Sequence, residues 1–315
     1  MVVAHVRHPQ PPAHEPAVGA RSGFITEPPA IGVVIVSWRV PQLLDRCLSA
    51  LEATGLPLRT VVVDNASGDE TVALVRRRHP TVQLIANPDN RGFTAANNQG
   101  LRALGLCLAG EEAAAAPSAV PTRSGEVSES NGVEREQDAP GFHEDGGLGD
   151  TARSSDPDPA PASPPPYVFL LNPDTEPAPD ALPRLVDCLE ARPRAAVAGP
   201  TLVYGDGRPQ PSRRRFLSLP AAWLESTPIG WHWPGLPAIA HFHMADRPEA
   251  GPEPVDWLVG AALLCRREAL EAAGGLDEGF FMYAEEMDLC RRLADLDWET
   301  WYCPGACVLT HEGQS

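Results

Sequence analysis

The chain alternates between short continuous runs of apolar residues and segments in which apolar residues recur every three or four positions. The continuous runs have the length and β-branched composition of strands that are buried on both faces of a sheet. The spaced pattern predicts amphipathic helices. The predicted strands are residues 31–37, 58–64, 81–86, 167–172 and 195–200, and the predicted helices are residues 41–54, 69–78, 94–106 and 179–191. This alternation predicts an α/β fold with a mostly parallel sheet and helices on both faces.

The last third of the chain continues the pattern less regularly. Residues 255–275 predict a strand followed by a helix, residues 284–296 predict a helix, and residues 300–311 predict the final strands. Residues 201–254, which precede these elements, are rich in proline and tryptophan, and we assign no helix or strand to them.

Two segments lack any such pattern. Residues 1–29 are rich in proline and alanine, and residues 108–166 contain almost no aromatic or branched side chains. Such compositions bury too little apolar surface to offset the entropy of ordering. We therefore predict a disordered N-terminal tail and a long disordered insertion that interrupts the sheet before its fourth strand.

Charge narrows the possible partners. The 315 residues carry a formal net charge of −17, and every basic residue other than histidine is arginine. Twelve acidic residues and only three arginines fall between positions 111 and 158, so more than half of the excess lies in the insertion. A strongly acidic chain is a poor match for a nucleic-acid backbone.

The seven cysteines form no recognisable framework, and their odd number predicts reduced thiols in a cytoplasmic protein. For Cys303 and Cys307 we favour buried thiols over zinc ligands. The N-terminus lacks the apolar core of a signal peptide, and no stretch is long and apolar enough to span a membrane. These features predict a soluble protein.

Polar clusters stand where the predicted strands end. The first strand ends at Ser37, the second at Asp64 and Asn65, the third before Asp89 and Asn90, and the fourth at residues 172–174. In open α/β sheets ligands bind at these carboxyl ends. Asp69 and Thr94 have a structural alternative as helix caps, and Asp89 and Asn90 have one as turn residues. Asp64 and Asp174 follow apolar strands directly, where no cap is needed, so for them we favour a functional role.

Carboxylates at these positions suit a nucleotide and a metal. Asp64 can only accept hydrogen bonds, for example from the imide N–H of uracil or thymine. Asp174 can bind a hard divalent cation together with phosphate oxygens. The chain has neither a P-loop nor a G-x-G-x-x-G motif, so a glycine loop does not hold the phosphates.

A second acidic cluster lies in the sequence GGLDEGFFMYAEEMDLCRR at residues 274–292. Acidic residues suit the first turn of a helix, and Asp288 can pair with Arg292 one turn later. That structural role does not explain the adjacent Glu285 and Glu286 behind an aromatic run. Their position is typical of a pocket edge that carries a general base.

Five motifs in this order resemble family-2 glycosyltransferases, and in particular the bacterial rhamnosyltransferase-like branch. They are VVIVSWR, VVVDNASGD, NRGFTAANNQGL, FLLNPDTE and the acidic cluster above, and together they cover residues 31–105 and 167–315. The resemblance implies a GT-A fold, a nucleotide-sugar donor with a dTDP, UDP or GDP moiety, a divalent metal (Mg²⁺ or Mn²⁺) and inversion at the anomeric carbon. It implies transfer of a sugar, with L-rhamnose as one candidate, to a hydroxyl of a glycan or lipid-linked acceptor in cell-envelope polysaccharide synthesis.

The same resemblance assigns roles to individual residues. Glu286 is the expected catalytic base, with Glu285 as the alternative, and Asp174 and His311 are the expected metal ligands. The expected nucleotide-binding residues are Ser37, Asp64, Asn65, Asn90, Gly92, Asn97 and Asn172, and the expected acceptor-binding residues are Trp257, Gly260, Tyr283 and Arg214. Within a glycosyltransferase domain at residues 30–315, residues 30–107 and 167–200 would bind the nucleotide sugar. Residues 201–315 would bind the acceptor and perform catalysis.

The chain departs from the family pattern at three places. The usual Asp-x-Asp is Asn172-Pro173-Asp174, the base position holds Glu rather than Asp, and the sequence ends at Ser315, where relatives usually continue. The arginines at 213–215 and the tryptophans at 223, 231 and 233 would shape the acceptor site or, equally, form a solvated basic loop. Two other functions stay open: a sugar-nucleotide nucleotidyltransferase, and a catalytically degenerate sugar-nucleotide-binding protein. We expect a cytoplasmic location, with at most peripheral contact at the inner face of the membrane.

Overall fold

The computed structural model of the protein describes residues 31–108, 163–233 and 235–311. Within these ranges the strands are β1 (Ile31–Ser37), β2 (Leu58–Asp64), β3 (Gln83–Ala86), β4 (Tyr167–Leu171), β5 (Thr175–Pro177), β6 (Ala195–Tyr204), β7 (Pro209–Gln210), β8 (Arg213–Arg214), β9 (Glu253–Val255), β10 (Trp257–Leu258), β11 (Ala262–Arg266) and β12 (Glu299–Thr310). The helices are α1 (Pro41–Ala53), α2 (Thr71–Arg78), α3 (Phe93–Ala103), α4 (Ala181–Glu190), α5 (Leu219–Glu225), α6 (Pro228–His232), α7 (Pro237–Phe242), α8 (Arg267–Ala273) and α9 (Glu285–Asp295).

One large sheet organises these elements, with strand order β3-β2-β1-β4-β11-β6-β12-β5. The strands from β3 to β4 are all parallel, as are β6 and β12. Strand β11 is antiparallel to both of its neighbours, β4 and β6, and β5 is antiparallel to β12. The predicted mostly parallel α/β sheet is confirmed, with β11 as an antiparallel strand at its centre.

Helices cover both faces of this sheet, as the continuous apolar runs predict. Along β1, Val33 and Ile35 point into a core formed with α1, α2 and α4, whereas Val34 and Val36 point into a second core with α3, α8 and α9. Alternate residues of a strand face opposite sides. An apolar side chain at every position is therefore what a strand between two cores requires.

The predicted elements from residue 31 to residue 200 are confirmed, with ends that move by a few residues. The region at 201–254, which received no assignment, folds as short strands and the three short helices α5, α6 and α7. Proline lies in the first turn of α5 and α7, where its missing N–H costs nothing. The final strands are one irregular strand, β12, whose register with β6 shifts between Cys303 and Cys307.

The predicted tail at residues 1–29 and most of the predicted insertion lie outside the described residues. The predicted insertion, residues 108–166, extends too far at both ends, because its first and last residues belong to the folded domain. Leu108 is buried in the core, the Ser163 carbonyl accepts a hydrogen bond from Arg59 (2.9 Å), and the Pro166 carbonyl accepts one from the backbone N–H of Arg267 (2.9 Å). These residues belong to the folded domain because they fill its packing and hydrogen-bond requirements.

The expectation of fully reduced cysteines is wrong for one pair. A disulfide joins Cys188 on α4 to Cys303 on β12, with 6.6 Å between their Cα atoms. The two residues are 115 positions apart and meet only because α4 packs on this part of the sheet. Cys307 is a free thiol, as predicted, but it is half-buried rather than buried. Among the described helices, none combines the length and the apolar character needed to cross a membrane.

We expect the segment between the two described parts of the sheet to be dispensable for folding. A Cβ atom at Gly105 would lie 3.4 Å from Pro164, so the chain leaves and re-enters the fold at the same corner. Replacement of residues 112–160 by a short Gly/Ser linker should change the melting temperature by no more than about 4 °C, since loop length has a weak, logarithmic effect on stability. Thermal unfolding of both proteins is the measurement, and a loss of cooperative unfolding in the shortened chain would contradict the expectation.

Candidate active site

A cavity of about 200 Å³ opens at the carboxyl ends of β1 and β4 and is closed on one side by the segment before α9. Most of its walls are apolar. Eight of the residues predicted from the sequence to bind ligands line it: Asn65, Asn90, Gly92, Asn172, Gly260, Tyr283, Glu285 and Glu286. The structure therefore brings the strand-end cluster and the second acidic cluster, which are more than a hundred residues apart, into one site.

Seven other predicted residues do not line this cavity. Ser37, Asp64 and Asn97 are buried, and the Asn97 amide donates to the Phe93 carbonyl within α3 (3.0 Å). The indole N–H of Trp257 donates to the Arg215 carbonyl (2.9 Å), and Arg214 lines a neighbouring cavity. Asp174 and His311 adjoin each other beyond the cavity wall.

A network of amides shapes the wall between β2 and α3. The Asn65 side-chain amide donates to Asn90 Oδ1 (2.8 Å) and to the Gly92 carbonyl (3.1 Å), and Asn65 Oδ1 accepts from the backbone N–H of Arg91 (3.0 Å). Asn90 Oδ1 also accepts from the Gly92 N–H (2.9 Å). The turn after β3 is thus held on the end of β2. The turn role considered for Asn90 is confirmed, and it places Asn90 on the cavity wall.

Gly92 is required at its position by both conformation and space. Its φ of 84° lies in a region that side chains rarely adopt, and a Cβ atom there would lie 2.8 Å from the Phe281 ring and 2.9 Å from the Phe281 carbonyl. This close approach lets the Phe93 N–H donate to the Phe281 carbonyl (2.7 Å). The start of α3 therefore contacts the segment that carries the acidic pair.

Further contacts with α3 hold that segment in place. Asn98 donates to the Leu276 carbonyl (2.7 Å) and accepts from the Leu276 N–H (2.9 Å), as a neighbouring strand would. The Thr94 hydroxyl donates to the Phe280 carbonyl, so Thr94 does not act as the cap considered from the sequence. Asp69 instead accepts from the N–H and hydroxyl of Thr71 at the start of α2, which confirms its structural role (2.9 Å and 2.5 Å).

Asp64 has a structural partner that the sequence did not suggest. It is 3% exposed, and its carboxylate accepts hydrogen bonds from the Ser67 N–H (3.3 Å) and from the Ser67 hydroxyl. The premise that no structural role exists at the end of β2 is therefore wrong, because this carboxylate closes the turn after the strand. Its contact with a nucleobase stays a prediction.

The acidic pair begins α9 behind two residues with left-handed backbone. Tyr283 and Ala284 have φ values of 71° and 69°, and Ala284 is the N-terminal flanking residue of the helix. Non-glycine residues in this region are strained by about 1 kcal/mol or more, and such strain is common at functional sites. The backbone turn points both glutamates toward the cavity. The predicted pairing of Asp288 with Arg292 is confirmed at 2.7 Å.

The two glutamates have different electrostatic surroundings. Burial, followed by repulsion from Glu286, raises the pKa of Glu285 to about 7. Burial also raises the pKa of Glu286, while hydrogen bonds from the backbone and the positive charge of Arg214 oppose the increase. In the described residues, Oε2 of each glutamate is buried without a hydrogen-bond partner. Carboxylates in this state are suited to accept a proton from a bound ligand.

The end of β4 carries the residues expected to bind a metal. Asp174 is 7% exposed, and its backbone carbonyl accepts from the His311 N–H (2.8 Å). The His311 imidazole contacts Glu176 rather than the Asp174 carboxylate (Nε2 to Oε1, 2.7 Å). Asn172 Oδ1 is buried without a partner among the described residues, and it faces the cavity wall. Within those residues no group of three or more His, Cys, Asp or Glu is arranged as a metal site.

Sequence analysis did not assign three large residues at the cavity. Trp38, Phe281 and Met282 line it and are 44%, 61% and 41% exposed. All three lie next to predicted site residues, at the end of β1 or in the aromatic run before Glu285. Exposed aromatic side chains beside a polar cluster were the signal that could have identified them.

The family model described as "Glycosyltransferase like family 2" matches residues 28–315. The chain belongs to glycosyltransferase family 2. The expected family, its GT-A fold and its rhamnosyltransferase-like branch are confirmed.

Relatives of this glycosyltransferase support the branch. It is 30% identical over 284 residues to an N-acetylglucosaminyl-diphospho-decaprenol L-rhamnosyltransferase of Mycobacterium tuberculosis. The matched residues make up 90% of this chain and 76% of the relative. A shorter match, 40% identical over 50 residues, is to the rhamnosyltransferase WbbL of Escherichia coli and covers 16% of this chain and 19% of that protein.

Solved structures support the fold alone. A mannosyltransferase of Pyrobaculum calidifontis, solved with GDP-Man and Mn²⁺, matches with a TM-score of 0.51 and 16% identity over 92% of this chain. GalNAc-T7, solved with UDP, GalNAc and Mn²⁺, matches with a TM-score of 0.54 and 14% identity over 90% of this chain. The glycosyltransferase chain described here spans 59% and 45% of the lengths of these two proteins.

The raised pKa of Glu285 predicts a stability change with pH in this glycosyltransferase. The folded state disfavours the charged form of Glu285, so this residue favours folding most when it is protonated. Its contribution to the free energy of unfolding is therefore greatest below its ordinary pKa of 4.5 and is lost as pH rises through about 7. Glu285→Gln stays neutral at every pH, so its melting temperature relative to wild type should be higher at about pH 8 than at about pH 5.

Glu268→Gln is the matched control, since Glu268 is an exposed glutamate in the first turn of α8. Thermal unfolding at both pH values should show little pH dependence for this control. An equal effect of Glu285→Gln at both pH values would show that Glu285 is ionised throughout.

Proposed function

We propose that the protein is an inverting, metal-dependent glycosyltransferase that moves a sugar from a nucleotide diphosphate to a hydroxyl of a lipid-linked glycan acceptor. The observation that carries the proposal is the cavity that joins the strand-end residues with the buried Glu285 and Glu286 pair. The name of the mycobacterial relative supports L-rhamnose as the sugar and an N-acetylglucosaminyl diphospholipid as the acceptor. That chemistry belongs to cell-envelope synthesis, which agrees with peripheral contact at the cytoplasmic face of the membrane.

Glu286 is the better candidate for the base. A base must be ionised when the acceptor binds, and the charge of Arg214 favours the ionised form of Glu286. Burial and the negative charge of Glu286 favour the protonated form of Glu285 near neutral pH. The Glu286 side chain also approaches Gly260, where an added Cβ would lie 3.5 Å from it. Gly260 thus lies on the cavity wall beside the proposed base.

The donor would occupy the other half of the cavity. Asn65, Asn90 and Asn172 present amide groups there, and Asp64 lies under the same wall. Asn172 Oδ1 is buried and has no partner within the described part of the chain, and the Asp174 carboxylate is two residues away. Both groups fit a hard divalent cation, because Mg²⁺ and Mn²⁺ prefer oxygen ligands and share them with a bound diphosphate. When bound, such a cation neutralises the charge of the leaving diphosphate.

These positions support a single displacement reaction. The acceptor oxygen attacks the anomeric carbon while Glu286 takes the hydroxyl proton. A new C–O bond forms as the bond between the anomeric carbon and the diphosphate oxygen breaks, and the nucleoside diphosphate carries away the electron pair. One displacement of this kind inverts the anomeric configuration. The apolar side chains of Trp38, Phe281 and Met282 line the cavity and would leave less room for a water that competes with the acceptor.

Two assays test the proposal. Incubation with a panel of UDP-, GDP- and dTDP-sugars and a short-chain N-acetylglucosaminyl diphosphoprenol, followed by mass spectrometry, should give a product one sugar heavier. Donor hydrolysis with and without Mn²⁺ tests whether the donor site works without an acceptor. Donor binding without transfer or hydrolysis under any of these conditions would favour a degenerate binding protein.

The sharpest mutational prediction concerns the acidic pair. Glu286→Gln keeps the shape of the side chain but cannot take a proton, so turnover should fall by roughly 10² to 10⁴ with donor affinity nearly unchanged. Glu285→Gln is the matched control one residue away and should lower turnover much less. If Glu285→Gln is the inactive variant instead, the base is Glu285. If both variants stay active, the base lies elsewhere.

A second mutational prediction concerns the metal. Asp174→Asn should weaken Mn²⁺-dependent donor binding by about 10-fold or more, since even outer ligands of metal sites have effects of that size. The free energy of unfolding should change by no more than about 1 kcal/mol, because the amide has almost the same volume. Calorimetry with and without Mn²⁺ is the measurement, and the exposed Asp180→Asn is the control. Equal affinity in Asp174→Asn and wild type would remove Asp174 from the metal site.

A further inference from the structure

A second cavity, of about 680 Å³, lies beside the candidate active site and is formed by α5, α6, α7 and the ends of β6 and β8. The two cavities share Val259 as a common wall. Tyr204, Trp231, Ile239 and Ala240 are among the aromatic and aliphatic residues that line the second cavity, and Arg214 is its one arginine among the described residues.

Arg214 differs from the arginines on either side of it. Arg213 pairs with Glu253 and lies 3.6 Å from Glu249, and Arg215 pairs with Asp246 (2.9 Å). Alternate residues of a strand face opposite sides, so Arg214 points away from the partners of Arg213 and Arg215. Its guanidinium donates to the Arg213 carbonyl (2.9 Å) and forms no ion pair with any described residue. The arginine run is therefore neither a solvated basic loop nor three equivalent side chains.

The position of Arg214 is fixed by the backbone. Strand β8 pairs with β10, so that Arg214 lies opposite Trp257, and the Arg214 carbonyl accepts from the Asp256 N–H (3.1 Å). The Val259 N–H donates to the Ser212 carbonyl (3.0 Å), which continues the ribbon to Gly260 beside Glu286. A ligand group on Arg214 would thus be held by the same ribbon that borders the catalytic pair.

Arg214 is half-buried and makes no direct ion pair with a described carboxylate, although the charges of Glu225 and Glu286 act on it from a distance. Burial lowers the pKa of Arg214, and these charges oppose the decrease. A guanidinium in such a position favours a directly bound anion, because a cation partly removed from water needs a compensating charge. The acidic residue of the same cavity, Glu225, already pairs with His243 (3.1 Å). An anion joined to an apolar chain would match both the guanidinium and the aromatic walls.

We propose that this second cavity binds the phosphate and first prenyl units of a polyprenyl-diphosphate acceptor, with Arg214 holding the phosphate. The inference rests on the proposed function and adds the location and chemistry of the acceptor lipid site. The acceptor sugar would then extend past Val259 toward Glu286. The prenyl chain would leave the cavity beside Trp231, which is 76% exposed.

Direct binding of geranyl diphosphate tests the site without requiring turnover. Calorimetry is performed in EDTA with excess UDP, GDP and dTDP, so that the donor side does not bind the probe. Wild type should bind, and Arg214→Gln should bind about tenfold or more weakly, as expected for loss of a charge-assisted contact. Arg214→Lys should recover part of the affinity.

Arg208→Gln is the matched control, since Arg208 is exposed, pairs with Asp206 and lies 5.8 Å from the ring of Tyr204. It should bind like wild type, and thermal unfolding should show that all variants are folded. No binding by wild type, or equal binding by wild type and Arg214→Gln, would overturn the inference. Arg214-dependent binding without any sugar transfer would preserve this lipid site and contradict the proposed function, whereas transfer with Arg214-independent binding would contradict only the lipid site.

Discussion

The candidate site depends on one buried amide. Asn98, on α3, bonds to both the N–H and the carbonyl of Leu276, and so it replaces a neighbouring strand for a segment that has none. Backbone groups buried without such partners would each destabilise the fold by about 1 to 3 kcal/mol. The contacts of Phe93 and Thr94 with residues 280 and 281 extend the same attachment. Because α3 also borders the end of β2, the segment before the acidic pair is placed against the strand-end residues.

Strain and charge at the acidic pair follow from that placement. The segment arrives along α3 and must turn sharply to enter α9, and the left-handed backbone of Tyr283 and Ala284 makes this turn. The turn leaves Glu285 and Glu286 adjacent, buried and facing a cavity, which raises the pKa of both carboxyl groups. Arg214 then makes the two glutamates unequal. The charge of Arg214 opposes the increase in pKa at Glu286, whereas the charge of Glu286 adds to the increase at Glu285.

The antiparallel strand β11 joins the two halves of the site. It lies between β4 and β6, and just before it the Ala261 carbonyl accepts from the Asn172 N–H (2.9 Å). Residues 257–261 therefore run from Arg214 past Glu286 to the end of β4. If β11 were parallel to β4, the start of β11 would lie at the opposite edge of the sheet, and Gly260 would be far from Asn172. The topology thus brings Arg214, Glu286 and Asn172 to the same region at the edge of the sheet.

The apolar pattern of the sequence predicts the parallel strands, their helices and the strand-end cluster, but not the antiparallel direction of β11. Strands buried on two faces need apolar residues at every position, and the carboxyl ends of parallel strands meet at one edge, so local pattern was sufficient. The sequence also determined the family, because five motifs in order are specific as a set. The partners of single side chains depend on the tertiary structure: Ser67 for Asp64, Glu176 for His311, Cys303 for Cys188, and the nearby charges of Glu225 and Glu286 for Arg214. These contacts join residues that are far apart in the chain, so a local sequence pattern cannot predict them. The short helices and strands of residues 201–254 likewise depend on packing, because their sequence has no regular spacing of apolar residues.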